Sequence, residues 1–455
     1  MAEEREDIIH ADWGTDSGPA THPQWLKDRL DWAMDLKFGL FVHWGIYSQW
    51  GCVESWPLVA DAPWARPDDL PAWKERGYDL ERFRRDYRDL NKTFNPTDFN
   101  PERWAEAAAH AGMKYVAFTT KHHDGFCMWD THTTDYRITG PDCPFHTHPR
   151  ADVVRAVFDV FRARDFGLWC YFSKSDWHSP YYWDPAQPAP DRNPNYDTLA
   201  QPERWAQFQQ YAYDQIEELL SRYGRVDCLW LDGGQVQPPL QGIHMERIAE
   251  MGRRHQPGLI VADRTVGGVY ENLLTPEQLI PDRPLGVPWE SCLTMGDSWS
   301  FRPNDNYKST RTLIHLLIDI VAKGGNLLLN VGPTPTGVFL AEPLQRLEEI
   351  GDWMAINGEA IYGTRPIAPH KQGRVCFTCK GDNAYALVLA EEGETEAPKQ
   401  VRLTGLRPAL GTPVYLMGRT PQLAWQAEGE AAVIDLPEGP PPCQHAWVLR
   451  FTPPA

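Results

Sequence analysis

The sequence predicts an α/β fold: a (β/α)8-like barrel followed by a C-terminal antiparallel β-sandwich. Three observations lead there. Short apolar runs alternate with amphipathic helical stretches from Phe38 to about residue 357, and ionisable residues recur where those runs end. After Gly363 the pattern becomes short strands between Gly and Pro turns. The catalytic barrel is expected in residues 1–360 and the sandwich in 361–455. A chain of 455 residues exceeds one ordinary core, in keeping with two units.

Taken in order, residues 25–36 place Trp25, Leu26, Leu30, Ala33 and Met34 on one helical side. Phe38–Gly45 reads as an apolar strand ending in His-Trp-Gly, and Tyr47–Pro101 as a loop-rich stretch bearing Glu54 and Trp56. Pro101 starts a helix and Gly112 stops it. The strand 114–120 then delivers Lys121-His122-His123-Asp124. A helix near 151–164, the strand 168–173 and a polar loop follow, and the helix 203–222 carries the stripe Trp205, Phe208, Ala212, Ile216 and Leu219. The strand 226–231 ends in Asp232 with Gly233-Gly234 beyond, a carboxylate beside backbone that a ligand can approach closely. A helix near 242–255 leads to the strand 259–264, an irregular stretch to a strand 286–290, and a helix near 306–322 to the strand 326–333. A last helix spans about 342–357. Seven strands are evident, so one unit of the eight is degenerate. Beyond it, 375–378, 385–389, 414–416, 432–436 and 447–451 read as sandwich strands.

The bulk composition narrows the function classes. A formal charge of −18 argues against nucleic acid and anionic membrane as partners. No run of about 18 apolar residues is present, and the acidic N-terminus lacks an apolar signal segment, so a soluble, cytoplasmic protein is expected. Nine scattered cysteines fit a reducing compartment. Twenty tryptophans exceed what a core needs, and sugar platforms are one use for the excess.

The strand ends collect His43, His122, His123, Asp124, Asp232, Asp263, Arg264 and Glu290, too many polar groups for packing alone. A metal hydrolase is the weaker reading. Its first strand would offer His-x-His where this chain has His43-Trp44-Gly45, and adjacent strand residues such as His122 and His123 should point to opposite sides. Cys376-x-x-Cys379 has no second pair in range, so zinc is not expected there; the glycosidase reading that follows implies neither a metal nor an organic cofactor. The better fit is glycoside hydrolysis by two carboxylates, with histidines, arginine and tryptophans holding the sugar.

The segments KFGLFVHWGIYS (37–48), TTKHHDGFCMW (119–129), LWLDG (229–233), PWESCLTMGDSWSF (288–301), GGNLLLNVGPTPTG (324–337) and INGEAIYGTRP (356–366) resemble, in this order, the α-L-fucosidases of glycoside hydrolase family 29. The resemblance implies a retaining exo-α-L-fucosidase acting on fucosylated oligosaccharides or glycoconjugates. It implies Asp232 as nucleophile and His43, His122, His123, Trp230 and Arg264 as fucose-binding residues. Glu54 and Trp56 resemble a Glu-Trp pair adjacent in many members, here separated by Ser55. For the acid/base it offers Glu290, preferred because a strand end holds a proton donor rigidly, and Glu277 on the preceding loop. Trp44, Trp56 or Trp299 and Phe301 are candidates to cover the C5 methyl of fucose. Alternatives are a retaining glycosidase for galactosides and a fucose-binding protein without catalysis. Oligomeric state is left open, a homo-oligomer included.

Overall fold

The computed structural model describes residues 22–454, so the acidic N-terminal reading falls outside the described residues. Seven parallel strands form one curled sheet: β1 (Phe38–Val42), β2 (Tyr115–Lys121), β3 (Gly167–Ser173), β4 (Cys228–Asp232), β5 (Ile260–Asp263), β6 (Glu290–Thr294) and β7 (Asn326–Asn330). Their order is β5-β4-β3-β2-β1-β7-β6. Helices cover the outside, capped as their sequences suggest. Asn100 accepts from Arg103 N ahead of Pro101–His110, Asp152 from Arg155 N ahead of Val153–Arg162, and Ser309 from Thr312 N ahead of Thr310–Ala322.

The period-2 alternation of each strand sorts its residues into two cores. Leu40, Val42, Phe118, Phe172, Leu229, Leu231 and Leu329 face the helices. Phe41, Tyr115, Ala117, Trp169, Tyr171, Cys228, Trp230, Ala262, Cys292 and Leu328 face the barrel interior. The helix Gln24–Leu36 packs its Leu26, Leu30, Ala33 and Met34 into that interior cluster, stopping one end of the barrel. The other end, where the strands finish, stays open to the site.

The sheet is not closed by direct pairing of β5 with β6. Residues 271–278 fill the gap: Asn272 N donates to Val261 O, Leu274 N to Pro288 O, Glu290 N to Leu274 O, and Cys292 N to Pro276 O. The expected strand at 286–290 is corrected accordingly, because β6 begins at Glu290 rather than ending there. The loop-rich stretch 47–101 also holds more structure than expected. It contains the helix Leu80–Arg88, whose buried Phe83 and Tyr87 anchor an otherwise charged segment.

The C-terminal region forms a five-stranded antiparallel sheet of β8 (Arg365–Gln372), β9 (Val375–Lys380), β10 (Asn383–Leu389), β12 (Val414–Leu416) and β15 (Ala446–Phe451). A three-stranded sheet of β11 (Gln400–Leu403), β13 (Trp425–Glu428) and β14 (Ala431–Asp435) accompanies it. Phe377, Val388, Leu403, Ile434, Trp447 and Leu449 share the core of this region. Among the described residues no helix is long and apolar enough to cross a membrane.

Candidate active site

The open end of the barrel carries two adjoining chambers. The inner one, about 70 Å³, is lined by Phe41, His43, Glu54, Trp56, His122, His123, Tyr171, Trp230, Asp232, Arg264, Glu277, Cys292 and Trp299. The outer one, about 190 Å³, shares Trp56, His123, Asp232, Arg264 and Glu277 and adds Arg192, Gln235 and Thr265 among others. Nine of the ten site residues expected from sequence therefore meet in one place.

The strand register explains most of the gathering. His43 lies two residues beyond inward-facing Phe41, Asp232 two beyond Trp230, and Arg264 two beyond Ala262, so each repeats the inward direction at the strand mouth. His122 and His123 depart from the expectation that neighbours diverge. They follow the last residue of β2 in a turn closed by Gly125 N to His122 O, and their rings lie 4.2 Å apart within the same chamber.

Among the carboxylates lining the two chambers, Asp232 is the most heavily engaged. Oδ1 accepts from Arg264 Nη1 (2.8 Å) and Gly233 N (2.8 Å), and Oδ2 accepts from the Tyr171 hydroxyl (2.7 Å). Burial opposes its charge, but the Arg264 guanidinium and the Tyr171 hydrogen bond outweigh burial and hold it well below the usual carboxylate range. Arg264 donates with its other terminal nitrogen to Glu277 Oε2 (2.7 Å) and rests on the Trp230 ring, 4.8 Å from its centre. One guanidinium thus holds two carboxylates at the edge of one pocket.

Hydrogen-bond partners assign the histidine tautomers. Asn330 Nδ2 donates to Trp299 O, so its Oδ1 accepts from His43 Nδ1 (2.7 Å) and leaves His43 Nε2 an acceptor. Ser173 donates to Ser175 O and therefore accepts from His123 Nδ1 (2.6 Å), leaving His123 Nε2 an acceptor too. Ser55 Oγ accepts from Asp124 N (2.9 Å) and donates to His122 Nδ1 (2.5 Å), so His122 Nε2 carries the hydrogen. Burial keeps all three rings neutral, pushing His43 and His123 down to about 4 and His122 well below its ordinary value. Two acceptors and one donor around a small chamber suit the hydroxyls of a sugar. Donor atoms of His122, His123 and Asp232 lie within 4.8 Å of one another, a spacing that would also admit a cation. With both Nδ1 atoms and both carboxylate oxygens already engaged, the inner nitrogens are the groups left to a ligand.

Glu290 is not at the mouth. As the first residue of β6 it lies two residues below Cys292 on the inward side, fully buried. It accepts from Trp230 Nε1 (2.8 Å) and the Tyr115 hydroxyl (2.9 Å), and it lines neither chamber. Trp230, which donates to Glu290, lines the inner chamber where Glu290 does not, so the two acid/base candidates stand at different depths. Glu277 is instead carried into the site by the gap-filling segment, its backbone bridged to Cys292, with its side chain 42 % exposed. Trp44 is also removed from the candidates for a methyl-covering wall. It packs against Phe94, Phe99 and Trp104, away from the chambers, whereas Trp56 and Trp299 line them and Phe301 does not. Tyr171, Ser173 and Asn330 were not foreseen, although β3 and β7 point them inward by the same parity that places Asp232.

Comparisons with known proteins point to one family. The model of the family described as α-L-fucosidase matches residues 15–359. The tissue α-L-fucosidase of Mus musculus is 30% identical over 456 residues, covering 92% of this chain and 91% of that one. The α-L-fucosidase isoenzyme 1 of Paenibacillus thiaminolyticus superposes with a TM-score of 0.76 at 28% identity, covering 95% of this chain and 100% of that one. The Thermotoga maritima α-fucosidase in complex with fucose superposes with a TM-score of 0.74 at 26% identity, covering 95% and 99%.

Proposed function

The chain belongs to the α-L-fucosidase family, glycoside hydrolase family 29, and on that premise we propose how its residues divide the work of a retaining, exo-acting α-L-fucosidase. Asp232 is the nucleophile and Glu277 the acid/base. His43, Glu54, Trp56, His122, His123, Trp230 and Arg264 hold the fucosyl group. The substrate is a fucosylated oligosaccharide or glycoconjugate with its terminal fucose in the inner chamber.

The observation that carries this reading is the shared guanidinium: Arg264 donates to Asp232 (2.8 Å) and to Glu277 (2.7 Å) at the edge of one pocket. Retaining glycosidases need two carboxyl groups close enough to act on the same bond from different sides. Asp232 is already ionised and aimed by Tyr171 and Gly233, as a nucleophile toward the anomeric carbon must be. Glu277 lies at the outer edge, where the leaving oxygen departs, and gives it a proton. When the fucosyl ester forms on Asp232 that carboxylate loses its charge. Arg264 is then left to Glu277, whose carboxylate takes the proton of the incoming water. The gap-filling segment 271–278 carries this second group to the pocket that Asp232 also lines.

The test uses 4-nitrophenyl α-L-fucoside, with the corresponding galactoside as a control for sugar identity. Asp232→Ala is expected to lose activity by about 10³-fold or more, and Glu277→Ala by about 10²-fold or more on a natural-type leaving group. Added azide accelerates Glu277→Ala and releases α-L-fucosyl azide, because azide takes the place of water in attacking the fucosyl ester on Asp232. Rescue of Glu290→Ala in place of Glu277→Ala would reverse the assignment of the acid/base. Turnover of the galactoside in preference to the fucoside would reverse the sugar.

A further inference from the structure

Beyond the two carboxylates, the outer chamber opens on Arg192, a residue with no part in the scheme above. Its guanidinium carbon lies 4.9 Å from the centre of the Trp56 ring, and among the described residues it has neither an ion pair nor a side-chain hydrogen bond. The backbone beneath it is fixed from several directions. Trp177 Nε1 (3.1 Å) and the Tyr182 hydroxyl (3.0 Å) both donate to Arg192 O, Trp183 Nε1 donates to Asn193 O (2.9 Å), and Gln241 Nε2 donates to Asn193 Oδ1 (3.0 Å). Buried aromatics thus hold a loop rigid and leave its arginine unspent, in a chain whose acidic groups outnumber its basic ones by 62 to 44.

The charges of the chamber reinforce the point. Arg264 is consumed by Asp232 and Glu277. In the form that delivers its proton Glu277 is neutral, Arg264 and Asp232 cancel, and the charge of Arg192 is left over on the leaving-group side. A planar guanidinium held against an indole presents paired N–H groups, the arrangement that matches a carboxylate or sulfate with two parallel hydrogen bonds. Neutral hydroxyls would be served by Gln235 and Thr265 on the same wall.

We propose that the outer chamber is a leaving-group subsite that selects an anionic aglycone, a sugar bearing a carboxylate or a sulfate, through Arg192. The proposal rests on the fucosidase reading and on Glu277 as proton donor. The long loop 178–200 then serves to hold one cation beside the bond that breaks.

Matched substrates test it: the α-L-fucosides of glucose and of glucuronic acid, and of N-acetylglucosamine with and without a 6-sulfate. The wild-type enzyme is expected to give kcat/KM about tenfold higher for the anionic member of at least one pair, the scale of one charge-assisted bidentate contact. That ratio should shrink as salt rises from about 20 mM to about 500 mM, because the contact is half-exposed and screened. In Arg192→Gln the ratio falls to about one, while Arg192→Lys, which keeps the charge, retains part of it. Whichever pair responds distinguishes carboxylate from sulfate. Equal cleavage of both pairs by the wild type, or an anionic advantage that survives Arg192→Gln, overturns the inference and leaves the fucosidase reading intact. Failure to cleave any fucoside, the aryl one included, overturns both.

Discussion

Glu54 enters the inner chamber with φ 40, its Oε1 accepting from Ser300 N (2.7 Å) and its Oε2 buried without a partner among the described residues. Burial, reinforced by the charges of Glu277 and Asp232 against the Ser300 hydrogen bonds, pushes the carboxyl up to about 8. At neutral pH it is therefore protonated, and the free oxygen can donate to a sugar hydroxyl. Because the folded value is raised, its favourable neutral form is full at low pH and lost as pH climbs through about 8. KM for the aryl fucoside is expected to rise on that alkaline side, because ionised Glu54 adds a second negative charge beside Asp232. Glu54→Gln keeps an N–H donor and cannot ionise, so its KM profile should lose the limb. A limb that stays in place in Glu54→Gln would assign it to another group. On the acid side His43 and His123 keep their acceptor nitrogens down to about pH 4, and binding should weaken only below that.

At the scale of elements, β6 and the segment before it decide the identity of the proton donor. Glu290 beneath Trp230 and Glu277 beside Cys292 are inseparable by residue type, and only the start of β6 tells them apart. That start is poorly written in the sequence: residues 286–294 mix Gly, Pro, Glu, Ser and Thr with apolar side chains, so no period marks where pairing begins. Residues 271–278 are still less legible, since tertiary hydrogen bonds rather than an apolar pattern make them fill the gap. β1 to β5 and β7 were legible within a few residues because each is an unbroken apolar run with an abrupt polar stop. β8 and β13 were not, their faces being largely exposed, nor was β11, only four residues long, and the helix Leu80–Arg88 hides two anchors among charges. The site was legible where a residue continues the inward parity of such a run, as His43, Asp232 and Arg264 do. Glu290→Ala tests the structural role. It strands the Trp230 and Tyr115 donors in the barrel interior and is expected to lower unfolding free energy in urea by about 2–4 kcal/mol. Glu290→Gln, which keeps one acceptor oxygen, should cost less. An alanine variant as stable as the wild type would mean that these two hydrogen bonds do not brace the Trp230 wall.

Across the whole molecule, the proposed division at 360/361 separates two folds in the chain, but the buried cluster of the barrel helices runs on into the C-terminal sheet. Cys376, Tyr385, Leu387, Ala446 and Val448 of the C-terminal sheet belong to the same buried cluster as Leu317, Ile350 and Trp353 of the barrel helices. Polar contacts follow the seam: Trp353 Nε1 donates to Ala446 O (2.9 Å), Thr378 Oγ1 to Ala360 O (2.9 Å), and the Tyr385 hydroxyl to Glu359 Oε1 (2.8 Å). A seam that apolar and continuous makes each part rely on the other, unlike the smaller and more polar contacts between loosely tethered domains. The site lies at the opposite reach of the barrel strands from the Gln24–Leu36 plug, and none of its lining residues comes from beyond residue 299. Stability and catalysis should therefore respond separately to a change in the seam. Trp353→Ala is expected to cost about 3–5 kcal/mol and to lower the midpoint of one cooperative calorimetric transition. KM for the aryl fucoside, measured well below that midpoint, stays within about twofold of wild type, since no binding residue has moved. Two resolved transitions in the wild type, with the substitution shifting only one of them, would show that barrel and sandwich unfold independently. The C-terminal sheets would then be a passenger on the enzyme rather than the support of its outer helices.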